Sequence, residues 1–350
     1  MNISRRTLFP AAAITASAAL ALTATPAFAA PAPAQPASAF TVKAFPAQSG
    51  ESVPDDITRL GDSIYVAYQN GVGPMGEAST SGATASTIQQ YSLDGKPGGT
   101  WSIPGRIDGM GADAGDHRLL VTTNEDGNSS FHTVTPEEGA RGVSDFSYSG
   151  ITHGGGTDAV TIYEGKIFVS ASNPADSTGP AVYEVTLSGS TAALTPVFAD
   201  DAKAVLANGP QAGTSTALAL TDPDSSTVVP PQSARFANDF LLDSQGDQQL
   251  VFAKHSGTPQ QQLQVLNLTS PVDDTAFATQ SHRELWITDP DHNTVYAVDG
   301  DFRSGEAITS VTPDTGADYL ASVNLSDGSL TPIPQLAEIH PKGLLFTASR

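Results

Sequence analysis

The sequence predicts an all-β fold, a single six-bladed β-propeller closed by its N- and C-terminal strands. Three observations point there. Short apolar or alternating runs, each ended by a turn signal, fill the chain after residue 39. Helical periodicity is nearly absent over the same stretch. A polar residue at the mouth of an apolar run recurs at six places, which is the signature of a repeat architecture.

The first 29 residues read as an export signal. Arg5 and Arg6 form a basic start, Ala11 to Ala24 an alanine-rich apolar stretch, and Ala27-Phe28-Ala29 a small-x-small cleavage site, with cleavage expected after Ala29. The paired arginines are similar to a twin-arginine signal, although Thr7-Leu8-Phe9-Pro10 departs from the usual continuation; a general secretory signal is the alternative. The apolar stretch is too short for a membrane anchor, and no second span follows. Residues 30–39, rich in Pro and Ala, read as a disordered lead-in, and 40–350 as one domain with an insertion near 203–236. The expected location is outside the cell.

The chain has no cysteine, so packing alone must hold the fold. Its formal net charge is −21, which argues against nucleic acid and anionic lipid as partners and suits a cation or a cationic or neutral small molecule. The same charge also serves solubility.

The strands follow in order. Ile64–Tyr68 runs into Gln69-Asn70-Gly71, Ile88–Leu93 into Asp94-Gly95, and Leu119–Thr122 into Asn124-Glu125-Asp126-Gly127. Val160–Tyr163, Glu164-Gly165 and Lys166–Val169 read as a tight hairpin, because Gly takes φ > 0 without steric cost. Val182–Val185, Leu250–Ala253, Leu285–Thr288 and Val295–Val298 continue the series. Six segments, beginning near Pro54, Arg106, Gly156, Ala237, Val272 and His340, open the blades; aligned, they place Asp56, Asp108, Asp158, Asp239, Asp274 and Lys342 at one position. The interval from Asp158 to Asp239 exceeds the roughly 40–50 residues of a four-stranded blade. It therefore holds an insertion, in which Ala217–Leu220 and Val228-Val229 suggest an extra hairpin; a seventh blade is the alternative. Phe40–Phe45 reads as an outer strand and Gly343–Phe346 as an inner one, together completing the last blade and leaving no open edge.

With these segments in view, the chain resembles the regucalcin and gluconolactonase-like superfamily of six-bladed propellers, which includes strictosidine synthase-like members. Arg235-Phe236-Ala237-Asn238-Asp239 with Asp243 and Gly246 is similar to its R-x-x-N-D-x-x-x-D-x-x-G opening. Asp108-Gly109 with Asp113 and Gly115 is a looser counterpart, and Pro341-Lys342-Gly343-Leu344 resembles its P-x-G-L opening. The resemblance implies a divalent cation on the axis, polarising a lactone or phosphoester, with Asn238 and Asp239 among its ligands. The Glu-Gly-Pro opening that supplies the family's Glu is missing; Val53-Pro54-Asp55-Asp56 stands there instead.

Carboxylates converging on one axis would repel, and a cation would relieve them. Asp56, Asp108, Asp158, Asn238, Asp239 and Asp274 are the candidate ligands, with Ca²⁺ the expected ion and Mg²⁺ or Mn²⁺ alternatives. Lys342 offers a compensating charge without any metal. Equally, an Asp at a blade opening can accept backbone N–H groups and hold a turn. Asp239, His340 and His153 are candidates for proton handling; His117, His132, His255, His282 and His292 are given no role. Two functions stay open: a Ca²⁺-dependent hydrolase or lactonase acting on a small extracellular molecule, and a non-catalytic propeller binding a ligand or a protein.

Overall fold

The computed structural model describes residues 40–348 apart from 176 and 281–282. The expected export signal (1–29), the lead-in (30–39) and His282 lie outside the described residues. The described chain is all-β, in sheets of four to eight strands with a propeller-like arrangement.

After β1 (Thr41–Pro46), the strands β2 (Pro54–Leu60), β3 (Ser63–Tyr68), β4 (Ala85–Ser92) and β5 (Pro97–Pro104) form an antiparallel meander. A second meander is β6 (Ile107–Asp113), β7 (Arg118–Thr123), β8 (Ser130–Val134) and β9 (Val143–Ser149). A third is β10 (Gly156–Tyr163), β11 (Lys166–Ser172), β12 (Pro180–Ser188) and β13 (Thr191–Ala199). Parallel pairing of β9 with β13 joins these two into one eight-stranded sheet. A hairpin of β14 (Lys203–Leu206) and β15 (Ser215–Ala217) then lies on the outer edge of β16 (Pro223–Val228), β17 (Phe240–Ser244), β18 (Gln249–Lys254) and β19 (Gln262–Asn267).

The end of the chain is interleaved. β20 (Val272–Phe277) does not turn into β21 (Arg283–Asp289) and β22 (Thr294–Gly300). It pairs instead with β23 (Ala307–Val311), followed by β24 (Tyr319–Val323) and β25 (Leu330–Pro332). β21 and β22 are flanked by the two ends of the chain: β26 (Leu344–Ala348) on β21 and β1 on β22. The terminal strands thus complete one sheet, as expected, with an intervening hairpin from the middle of the last third. The innermost strands β2, β6, β10, β16, β20 and β26 each pack beside the next, and β26 returns to β2.

Strand alternation explains the packing. Successive side chains point to opposite faces of a strand, and here both faces are covered. In β3, Ile64, Val66 and Tyr68 enter the apolar cluster shared with β21 and β22, around Trp286; Tyr65 and Ala67 enter the cluster shared with β6 and β7. In β17, Phe240 and Leu242 pack toward β10 and β11 while Leu241 packs toward β20 and β23. This two-sided burial is why the second strand of each unit reads as a continuous apolar run. The Glu164-Gly165 hairpin is present, both residues having positive φ. The stretch read as an insertion differs from expectation. Residues 217 and 228 belong to separate hairpins, and Pro223–Val228 is itself an innermost strand. Among the described residues no helix is long and apolar enough to cross a membrane.

Candidate functional site

Five of the innermost strands carry a register shift near their start, between Pro54 and Ile57, Ile107 and Gly109, Thr157 and Val160, Pro223 and Ser226, and Val272 and Thr275. Such a bulge frees a residue from the ladder and re-aims its side chain. The first residue inside each shift is acidic: Asp55, Asp108, Asp158, Asp224 and Asp273. Lys342 holds the matching place ahead of β26, where its N–H donates to Thr288 O at 2.9 Å.

Hydroxyls on the second strands tie these positions together. Ser170 Oγ donates to Asp224 O at 2.8 Å and Ser310 Oγ to Lys342 O at 2.6 Å. Thr122 donates to Asp158 O and Thr288 to Asp55 O in the same way. Each bond runs from one unit to the backbone of the next, so Asp55, Asp158, Asp224 and Lys342 are each fixed by the preceding unit.

Their side chains are partnered unequally. Arg106 Nε lies 2.9 Å from Asp108 Oδ1, and its Nη1 lies 2.8 Å from Glu125 Oε1. The Lys342 ammonium is bonded to Asp273, which also accepts from Gln245 Nε2 at 2.9 Å. Asp158 and Asp224 both line this end; burial raises both well above the ordinary carboxylate range, and neighbouring acids add to it. Burial likewise raises Asp55 to about 7, against the opposing charges of Lys342 and Arg106. Lys342 is raised in turn: burial lowers it, but Asp273, Asp55 and Asp224 outweigh the burial.

The residues one step further along do something else. Asp56 accepts from Ile57 N at 2.6 Å and from Met110 N, in the next unit, at 2.5 Å. Asp274 accepts from Leu344 N, also in the next unit, at 2.7 Å. These two acids clamp neighbouring innermost strands, the turn-holding role that such an Asp can take.

A cavity of about 430 Å³ runs along the innermost strands. One end is lined by the charged residues from Asp55 to Lys342 together with Arg106, Glu125, Asp56 and Asp274. The remainder is lined by apolar residues such as Ile57, Ile162, Phe277 and Phe346 and by hydroxyl residues such as Thr58, Thr161, Ser226 and Thr227. The charged groups are thus followed by an uncharged lining of apolar and hydroxyl side chains.

Of the residues expected from the sequence, Asp56, Asp108, Asp158, Asp274 and Lys342 come together on this cavity. Asn238 and Asp239 do not line it. They precede β17, whose Phe240 pairs with Val228 at the far end of β16 from Asp224. Asn238 N donates to Val229 O and Asp239 O accepts from Val229 N, so both serve a turn there. Asp224 takes the place given to Asp239, and Asp55 and Asp273 face the cavity beside the chosen Asp56 and Asp274. The available signal was a proline before a charged residue: Pro54-Asp55, Pro223-Asp224 and Pro341-Lys342 share it. Arg106 and Glu125 went unnoticed, being an ion pair formed across a hairpin. His153 is buried against Tyr183 Oη at 3.0 Å and Gly156 O at 2.6 Å, and burial lowers its pKa. His340 meets Asp291 at 2.9 Å. Neither histidine lines the cavity. Among the described residues no group of three His, Asp or Glu side chains is arranged to hold a metal ion.

The backbone matches the periplasmic gluconolactonase of Pseudomonas aeruginosa with a TM-score of 0.50 at 12% identity, over 85% of this chain and 89% of that one. The likeness is one of fold, a propeller-like arrangement. A protein of unknown function from Bacteroides caccae matches with a TM-score of 0.47 at 13% identity, over 87% and 90% of the two chains. A functionally unknown protein from Desulfotomaculum acetoxidans matches at 0.46 and 10%, over 88% and 96%. No family model and no curated protein sequence matches the chain. At such identities the likeness carries the propeller architecture and no activity.

Proposed function

We propose that the protein is an exported six-bladed β-propeller that binds a small organic cation in its axial channel. The observation that carries this reading is the lining of the cavity. Eight carboxyl groups and two basic side chains line one end, and uncharged side chains, apolar and hydroxyl, line the rest. A cavity of about 430 Å³ lies within the range of small-molecule sites. A positively charged head at the acidic end would meet carboxylates, and a hydrocarbon body would meet the apolar walls. Six blades are supported by the closed succession β2, β6, β10, β16, β20, β26, and export by the residues preceding Ala30.

The test is thermal melting with hexylamine and with hexanol, its neutral isostere. A ligand that binds only the native state raises the melting temperature. Hexylamine is expected to raise it, hexanol to leave it unchanged, and Asp158→Asn/Asp224→Asn to abolish the amine effect. Equal responses to amine and alcohol refute the reading.

A second reading is a Ca²⁺-dependent lactonase, favoured by the likeness in fold to a periplasmic gluconolactonase and by the oxygen-rich end of the cavity. There the ion would act as Lewis acid. Hydrolysis of an aldonolactone that EDTA stops and Ca²⁺ restores supports it; no hydrolysis with Ca²⁺, Mg²⁺ or Mn²⁺ removes it.

A further inference from the structure

We infer that Lys342 is the resident cation of the acidic end, occupying the place of an axial metal and setting the site's preference for an ammonium group over a divalent ion. The second half of this inference rests on the function proposed above; the first half does not.

The argument starts from equivalence. Six corresponding positions meet at the cavity; five bring an Asp and the sixth brings Lys342. Its ammonium is bonded to Asp273, and Asp55 and Asp224 are the next charges acting on it. The backbone that carries it is fixed from two sides, by its N–H on Thr288 O and by Ser310 Oγ on its carbonyl. The stem therefore leaves an anchored point, its head is bonded to Asp273, and Asp55 and Asp224 line the same end of the cavity. Elsewhere at this end Arg106 lies against Asp108 and Glu125, and Asp56 and Asp274 accept backbone N–H groups of the next unit.

A divalent ion among Asp55, Asp224 and Asp273 would have to displace this ammonium, or sit beside it and be repelled. The donor set consequently does not suit a divalent ion while Lys342 is present. Removing the charge but keeping the length of the side chain leaves Asp273 without its counter-charge, beside the carboxyl groups of Asp55 and Asp224. An all-oxygen set of that kind suits Ca²⁺. Lys342→Met should thus create a Ca²⁺ site where the natural protein has none.

The experiment is calorimetric titration and thermal melting of the full chain with CaCl₂ after EDTA treatment. The natural protein is expected to show no heat and no shift at about 1 mM Ca²⁺, the weak end of protein calcium sites. Lys342→Met is expected to bind at least tenfold more tightly and to melt several degrees higher with Ca²⁺ than without. Lys342→Met/Asp273→Asn should lose that response, and Lys342→Arg, which keeps the charge, should never acquire it. Should Lys342→Met fold only in the presence of Ca²⁺, that also supports the inference. Three results overturn it: the natural protein binding Ca²⁺ as tightly as Lys342→Met, Lys342→Met indifferent to Ca²⁺, or Lys342→Arg responding to it. A variant that folds under neither condition counts against it too, since Ca²⁺ then fails to replace the ammonium. The proposed ligand class is judged separately, because failure of hexylamine on the natural protein leaves the Ca²⁺ response of Lys342→Met unaffected.

Discussion

Asp55→Asn should make the protein more stable at pH 8 while leaving it nearly unchanged at pH 4. Asp55 is 7% exposed, and burial raises its carboxyl from 3.8 to about 7. The folded chain therefore keeps this proton up to about pH 7, whereas the unfolded chain releases it near pH 4. Between those values the native state binds more protons than the unfolded state, so stability falls as pH rises through that window. A difference of about 3 units at about 1.4 kcal/mol per unit gives a loss of about 4 kcal/mol across the window. Asn imitates the protonated carboxyl and does not titrate, so the variant escapes the loss. Its advantage should grow from near zero at pH 4 toward about 4 kcal/mol at pH 8. Urea unfolding followed by the fluorescence of the buried Trp101 and Trp286 measures it, in EDTA, at pH 4, 6 and 8. If the advantage stays flat with pH, or Asn is the less stable at pH 8, the native Asp55 is charged and held by Lys342, and the burial argument is wrong.

Other substitutions probe the frame around the cavity. Asp243 is 1% exposed, and by register it stands where Ser170, Ser310 and Thr288 stand in other units, opposite the register shift; burial raises its pKa well above the usual range. Asp243→Thr supplies a hydroxyl that never ionises and should stabilise by about 2 kcal/mol at pH 8 and little at pH 4, read from the same urea curves. Gly109→Ala would put a Cβ 2.3 Å from Asp158 O, a backbone atom, and should cost about 3 kcal/mol or prevent folding, as expression and melting will tell. Asp56→Ala strands the N–H groups of Ile57 and Met110 and should cost about 2–3 kcal/mol while leaving the Ca²⁺ response of Lys342→Met intact. Phe45→Ala removes a ring stacked on Trp286 at 5.4 Å and should cost about 2 kcal/mol, loosening β1 from the closing sheet in hydrogen exchange.

Much of the fold was legible because its strands obey local rules. Glu164-Gly165 announces its hairpin through two residues tolerant of positive φ, and the terminal runs Phe40–Phe45 and Leu344–Phe346 pair where an open sheet would need covering. What stayed hidden is non-local. The runs Leu285–Thr288 and Val295–Val298 have the same period-2 pattern whichever strand they join, so nothing in them says that β20 waits for β23. β16 was hidden for a related reason. Pro-Asp-Ser-Ser-Thr-Val lines a cavity with polar atoms and lacks the apolar alternation by which strands are found. Ala237–Leu241, which has that alternation, is instead the entry to a second strand, because both faces of a second strand are buried.

The acidic positions show why residue type alone could not decide between a cation site and a structural turn. Both readings hold, one residue apart. Within each register shift the first side chain faces the cavity and the second faces the neighbouring unit. In Asp55-Asp56 and Asp273-Asp274 the two places carry the same amino acid, so the sequence cannot distinguish them. Only the bulge does, and it is set by pairing, with the next strand for Asp55-Asp56 and with the distant β23 for Asp273-Asp274. Where the second place is Gly109 or Gly343, there is no side chain to reach onward. The following N–H, of Met110 or Leu344, is met instead by the acid of the preceding unit, Asp56 or Asp274. At these two junctions, β2 with β6 and β20 with β26, the pairing of clamp and glycine binds neighbouring strands and opposes the repulsion between their first-place charges.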